Sequence, residues 1–319
     1  MQNASRLALG CMAMSGMYGA SDESESLATI DAALDAGITL FDTGDFYGMG
    51  HNELLLGRAL KGKRDRARIS VKFGALRGPD GSWIGLDTRP EAIRNFLSYS
   101  LVRLGVDYID LYRPARYSPQ GVPIEDTMGT IADLIQAGYV RQAALSEVGP
   151  ETIRRAHAVT PIADLQIEYS LLSRGPEANI FPVLEELGIG LTAYGVLSRG
   201  LLSGSLPQGP SDFRAHLPRF TGDNLARNQQ LISGVSTLAN SLGVSTTQLA
   251  IAYVLAKRPY ITPLIGARKR SQLAESLPAA ELRLSPSQVA AIEELVPPES
   301  VGGARYDPHQ MAHLDSERR

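Results

Sequence analysis

Short apolar, β-branched runs alternate with helical stretches along almost the whole chain, and no other feature constrains its fold so tightly. Candidate strands lie near residues 7, 38, 69, 108, 140, 164, 190 and 261, each followed by a segment of helical period. Apolar strands separated by helices imply a parallel sheet with helices packed on its outer side. Eight such units point to a closed α/β barrel of the (β/α)8 type. A doubly wound sheet would place a Gly-x-Gly-x-x-Gly turn after an early strand. The first strand, Leu7 to Met12, has no such turn behind it. The expectation is therefore one barrel domain over residues 1–319, with 297–319 as a C-terminal tail rich in Gly, Pro and charge.

The punctuation between elements agrees. A stripe of Leu27, Ile30, Ala33 and Leu34 follows Ser24 and stops at Gly37. Thr88-Arg89-Pro90-Glu91 offers a helix cap, an early proline and a first-turn acid. Gly74 to Asp87 reads as a Gly-rich loop and Gly195 to Gly222 as a long irregular segment. With 44% hydrophobic residues the chain can fill a barrel core, and a net charge of −3 predicts no attraction to nucleic acid or to an anionic membrane. One cysteine, Cys11, excludes an intrachain disulfide and fits a reducing compartment. No basic-then-apolar leader opens the chain, and no apolar run approaches the ~20 residues of a membrane span. These features predict a soluble, cytoplasmic protein, a monomer or homo-oligomer.

In a (β/α)8 barrel the chemistry sits at the C-terminal ends of the strands. Asp42 ends the run Ile38 to Phe41, Tyr47 follows on a short Gly-containing turn, and Lys72 ends Ile69 to Val71. Each alone is compatible with a solvated strand end. Together they suggest chemistry: an ammonium beside a phenol lowers the phenol pKa from its reference of about 10, and a carboxylate holds the ammonium in place. The expected product is a tyrosine that donates a proton near neutral pH.

These residues resemble the aldo-keto reductases, over nearly the full length. The resemblance rests on Phe41-Asp42-Thr43-Gly44-Asp45-Phe46-Tyr47-Gly48, Val71-Lys72-Phe73-Gly74, Gln166-Ile167-Glu168-Tyr169-Ser170-Leu171 and Tyr194-Gly195-Val196-Leu197-Ser198-Arg199-Gly200. It implies metal-free hydride transfer from NADPH to a small-molecule carbonyl. It makes Tyr47 the proton donor, Lys72 its partner and Asp42 the residue that holds Lys72. Ser146 and Gln166 are implied at the nicotinamide amide, and Tyr194 on the nicotinamide ring. Gly10, Cys11 and Met12 are implied along the cofactor. The turn Gly195, Leu197 and Gly200 is implied at the pyrophosphate, with Arg219 as an added cation. Gly266, Arg268, Gln272 and Glu275 are implied at the adenosine end. Three consecutive cations, Arg268-Lys269-Arg270, suit a 2′-phosphate and favour NADP over NAD; a solvated basic turn is the plainer alternative.

Two positions depart from the family pattern. Glu147 follows Ser146 where Asn is usual, and the fourth strand ends Tyr112-Arg113-Pro114-Ala115-Arg116, so that Ala115 stands where the family's catalytic tetrad has His. Alanine offers the carbonyl no hydrogen bond, and losing such a donor costs about 100-fold in rate for a substrate that needs it. The yeast pyridoxal reductases are similar in carrying Ala here. Pyridoxal's own hydroxyl, ortho to its aldehyde, can do part of that work. Arg116 or Tyr117 as a substitute donor is left open. A second implied reading, a slow-turnover NADP(H)-binding regulatory subunit resembling the channel β subunits, also lacks this histidine. Trp83, Tyr18 and Tyr306 are candidates to line the substrate pocket.

Overall fold

The computed structural model describes residues 6–117, 121–209 and 212–318. Eight parallel strands close into a barrel: β1 (Ala8–Gly10), β2 (Leu40–Gly44), β3 (Arg68–Phe73), β4 (Ile109–Pro114), β5 (Val140–Ser146), β6 (Ile162–Glu168), β7 (Gly190–Tyr194) and β8 (Ile261–Gly266). Each strand pairs with its neighbours in sequence, and β1 closes on β8 through Leu9 opposite Ile265. The (β/α)8 expectation holds.

The two-residue period of a strand divides the barrel into an apolar outside and a polar inside. Leu9, Phe41, Ile69, Val71, Tyr112, Leu145, Leu165 and Ile265 join Ile30, Leu55, Ile131, Leu184 and Leu255 of the surrounding helices in one continuous core. The alternate positions form a small inner cluster, Ala8, Leu40, Leu111, Ala144 and Leu264. Above this floor the inner wall becomes polar: Asp42, Ser70, Lys72, Arg113, Ser146, Asp164, Gln166, Glu168 and Thr192 are all buried. A barrel that buries so many polar side chains has to pair them, and the functional site grows out of that pairing.

Local sequence sets the helix ends. Asp22 caps helix Glu23–Asp35 by accepting Glu25 N–H at 2.9 Å. Helix Pro90–Leu104 has Arg89, not Thr88, at its cap, with Asp87 accepting the Arg89 N–H. Ser245 and Ser285 form capping boxes with Gln248 and Gln288. Among the described residues no single helix is long and apolar enough to cross a membrane; one pair, 222–241 and 246–257, reaches the necessary length and composition only across a 90° bend.

Two expectations change. The Gly-rich stretch after β3 is not all loop: Ala75–Arg77 and Trp83–Leu86 form an antiparallel hairpin, and Trp83 lies exposed on it beside the Arg77 guanidinium. The segment after 297 is not a loose tail. Gly302 exchanges two hydrogen bonds with Asn228, Asp315 accepts Gly149 N–H, and Arg305 is buried. Polar side chains of the barrel mouth hold it down, which is why apolar patterning gave no sign of it.

Candidate active site

Asp42 and Lys72 belong to adjacent strands, with Gly44 opposite Lys72 in the register. Their side chains therefore rise from the same side of the sheet into the barrel mouth. The Lys72 ammonium donates to Asp42 Oδ1, and both groups are buried. Asp42 Oδ2 accepts from Ser70 Oγ and from Gln166 Nε2, each at 2.8 Å. The carboxylate thus has three donors and is fixed in place.

Tyr47 is delivered by the turn after β2. Asp45 N–H donates to Lys72 O at 2.9 Å, tying the turn to β3, and Gly48, Met49 and Gly50 all take left-handed conformations to reverse the chain. The Tyr47 ring packs on Gly44, where a Cβ would lie 3.4 Å from Tyr47 Cε1. Lys72 Nζ sits 5.0 Å from the ring centroid. The sequence-based expectation of a lowered phenol pKa fails here. Burial, and then the Asp42 charge, push the Tyr47 phenol well above its ordinary value, while Arg116 pulls it down. The reason is local: the Lys72 ammonium is spent on Asp42, and its own pKa is lowered, first by burial.

Ala115 is buried at the end of β4 and contributes no polar side-chain atom. Its neighbours diverge. Tyr117 is buried and coupled to Arg155, the helical residue that grips Glu125. Arg116 stays at the mouth: Nη1 donates to Ala115 O at 2.6 Å and to Ser146 Oγ at 3.4 Å, and Nη2 to Tyr306 OH at 3.3 Å.

Ser146 and Gln166 face each other in the β5–β6 register. Glu147 follows in a left-handed conformation (φ 55°) and turns its buried carboxylate back toward the mouth. There it accepts from Tyr194 OH at 2.7 Å, Glu168 N–H at 3.0 Å, Ser316 Oγ at 2.8 Å and the Arg305 guanidinium at 2.5 Å. Burial opposes this charge, but Arg305 outweighs it and holds the carboxyl well below the usual range. Tyr306 completes the ring, its hydroxyl 3.0 Å from that of Tyr194.

From Tyr194 a track leads outward. Gly195 and Gly200 adopt positive φ, and a Cβ at Gly200 would fall 2.5 Å from Ser205 O. Leu197 lies between them on the same turn. Arg219 is not on this track. Its guanidinium is buried on Leu172 O and Ser173 Oγ, both at 2.8 Å, and reaches Glu168 at the end of β6, so that carboxylate claims the cation expected at the pyrophosphate. Cys11 likewise turns inward: its thiol is buried in the outer core, 3.9 Å from Leu9 O, and burial pushes it up to about 12. Gly10 and Met12, on either side, are partly exposed.

At the far end, Gly266, Lys269, Gln272 and Glu275 are exposed. Arg268 donates to Tyr18 O and Gly19 O, and its N–H is taken by Gln272 Oε1 at 3.0 Å. Arg270 pairs with Glu25 at 3.0 Å. Of the three consecutive cations, one is therefore ion-paired and one bound to carbonyls. Exposed glycine and basic groups here, with an aromatic ring at the inner end, fit a long polyanionic cofactor. Among the described residues no three His, Cys, Asp or Glu side chains converge as a metal site.

The family model described as "Aldo/keto reductase family" matches residues 6–297. The chain belongs to the aldo/keto reductase family. Curated relatives agree: it is 40% identical over 311 residues to "Probable aldo-keto reductase 1" of Glycine max, covering 95% of this chain and 88% of that one. It is 36% identical over 313 residues to "Aldo-keto reductase yakc [NADP(+)]" of Schizosaccharomyces pombe, covering 95% and 91%. Among solved structures, this aldo/keto reductase is similar to the glycerol dehydrogenase AKR11B4 of Gluconobacter oxydans, with a TM-score of 0.84, 31% identity and coverage of 92% and 93%.

The sequence did not point to Arg305, Arg199 or Arg113 as parts of the mouth. Arg199 donates to Glu168 Oε2 and to Arg305 O, both at 2.8 Å, and Arg113 to Asp164 at 2.7 Å inside the barrel. Arg113 and Asp164 did carry a signal, since each is a charged residue inside a strand whose alternate neighbours, Leu111 and Ile162, are apolar and buried. Arg305 carried none.

Proposed function

We propose that this aldo/keto reductase reduces a small aldehyde or ketone to the alcohol with NADPH, Tyr47 acting as the proton donor. The convergence of Tyr47, Lys72 and Asp42 at the ends of β2 and β3 is the observation that supports this most directly. When bound, NADPH supplies the hydride. The protein's part is the proton and the charge. Tyr47 keeps its proton through the neutral range, because burial and Asp42 disfavour the phenolate. It is thus a donor in waiting, and Lys72, held by Asp42 beside the ring, favours the phenolate left after transfer.

Ser146, Gln166 and Tyr194 would hold the nicotinamide end, and the turn 195–200 the pyrophosphate. Gly266, Arg268, Gln272 and Glu275 would hold the adenosine end, with Lys269 exposed for a 2′-phosphate. The NADP(+) in the name of the S. pombe relative supports this choice of cofactor. Ala115 gives the carbonyl no side-chain hydrogen bond, and pyridoxal, whose ortho hydroxyl can donate internally, depends least on one from the protein. A panel of aldehydes and ketones assayed with NADPH and NADH tests the proposal, run on wild type, Tyr47→Phe and Ala115→His. NADPH consumption that needs Tyr47 is expected, with pyridoxal faster than an aldehyde lacking the ortho hydroxyl. Tight NADPH binding with no turnover on any carbonyl would sink it.

A further inference from the structure

Among the described residues the buried cations of the barrel mouth are ion-paired to carboxylates, while Arg116, half-buried beside them, is not. Lys72 is on Asp42, Arg113 on Asp164, Arg199 and Arg219 on Glu168, and Arg305 on Glu147 and Glu317. Arg116 forms no ion pair among the described residues. Its guanidinium has five N–H donors, yet its partners are one carbonyl at 2.6 Å, a serine hydroxyl at 3.4 Å and a tyrosine hydroxyl at 3.3 Å, the last two long. Burial disfavours this charge and Glu147 favours it through space without a hydrogen bond to it, so N–H donors stay available to an incoming anion.

The location narrows which anion that is. Arg116 follows Ala115, the strand end that offers no side-chain donor. Its charge reaches both the Tyr47 phenol and Lys72. It also spans Ser146 on one side and Tyr306 on the other, so it is centred over the mouth and not at the rim.

We propose that Arg116 donates a hydrogen bond to the reacting carbonyl oxygen, opposite Tyr47, and stabilises the negative charge that develops there. This rests on the reading of Tyr47 as proton donor. As hydride reaches the carbonyl carbon, the π electron pair moves to oxygen, Arg116 holds that oxyanion, and the Tyr47 proton converts it to the hydroxyl. Arg116 gives up no proton. A preorganised donor of this kind is worth about 100-fold or more in kcat.

The test compares Arg116→Ala and Arg116→Lys with wild type on a neutral aldehyde and on one bearing a carboxylate, with NADPH affinity measured separately by fluorescence titration. Expected for Arg116→Ala are a fall of about 100-fold in kcat on both aldehydes, NADPH affinity unchanged, and partial rescue by added guanidinium or methylguanidinium ion. Arg116→Lys should retain part of the rate and acquire a loss of activity at alkaline pH, toward the lysine reference of about 10.4, absent from wild type. That variant carries the test if Arg116→Ala does not fold. An unchanged rate on the neutral aldehyde overturns the proposal, as does an effect confined to KM for the carboxylate substrate. A loss with weakened NADPH binding and no rescue also overturns it. Tyr47→Phe separates the two readings: if it retains activity, the proton-donor assignment fails first, and if it does not, failure at Arg116 is failure of this inference alone.

Discussion

Arg305 grips Glu147 across 158 residues of sequence, Nη2 to Oε2 at 2.5 Å and Nη1 to Oε1 at 2.8 Å, with both side chains buried. The pair fastens the C-terminal segment onto the barrel mouth at the residue that follows Ser146. Glu317 and Ser316 add to it from the same segment, at 2.7 and 3.2 Å from Arg305. A bidentate guanidinium–carboxylate contact fixes angle as well as distance, so it also orients the Glu147 oxygen that receives Tyr194 OH.

Replacing Arg305 with Met leaves Glu147 buried without its counter-charge, and should destabilise the protein by about 3–5 kcal/mol. Urea unfolding measures this, and limited proteolysis should cut the segment after residue 297 faster than in wild type. Adding Glu147→Gln to that variant should recover part of the loss, since the penalty belongs to the orphaned charge.

Tyr47→Phe should lower kcat by about 10²–10⁴-fold, the range for removing a positioned acid. NADPH titration should show unchanged affinity, because the phenol's neighbours are Lys72 and Gly44 and the turn 195–200 is untouched.

Asp45 gives the fold a pH dependence. Its Oδ1 is shut off from solvent and has no hydrogen-bond partner among the described residues; burial, then Glu53, raises its pKa from 3.8 to about 7. Below the unfolded value the group is protonated in both states and contributes nothing. Between about 4 and 7 the unfolded chain has lost the proton that the folded chain keeps, so stability falls as pH rises through that window. Asp45→Asn should flatten the decline, and thermal melts at pH 4.5 and 8 should show the variant gaining relative to wild type at the higher pH.

Gly200→Ala should cost about 1–3 kcal/mol, since φ is +107° and the new Cβ meets Ser205 O at 2.5 Å. Because that turn is proposed to face the pyrophosphate, NADPH affinity should fall as well. Melting and fluorescence titration on the same sample separate the two effects.

The barrel and its strand-end residues were legible because they obey local rules. Strand period fixes which way Asp42 and Lys72 face, and a charged residue ending an apolar run is visible without knowledge of its partner. What stayed hidden depends on partners remote in sequence. Nothing around Arg305 announces Glu147, and nothing around Arg219 announces that Glu168 and Leu172 O will take its guanidinium. The Tyr47 pKa was misjudged for the same reason: proximity to Lys72 was right, but the ammonium's commitment to Asp42 and the burial of the phenol decide the sign. The hairpin at 75–86 was missed because its glycines read as loop, though they form its turn and a bulged strand.

Arg113 and Asp164 meet inside the barrel from β4 and β6, and Thr192 of β7 completes the contact at 2.9 Å. The two charges are inherited on separate stretches of chain with one whole strand between them. In a chimera with a relative, any crossover between residues 114 and 163 that brings in a partner lacking this pair would trap one charge in the barrel's centre. Shuffling libraries built on this protein should therefore recover crossovers outside that interval, and treat residues 113 to 164 as one exchangeable block.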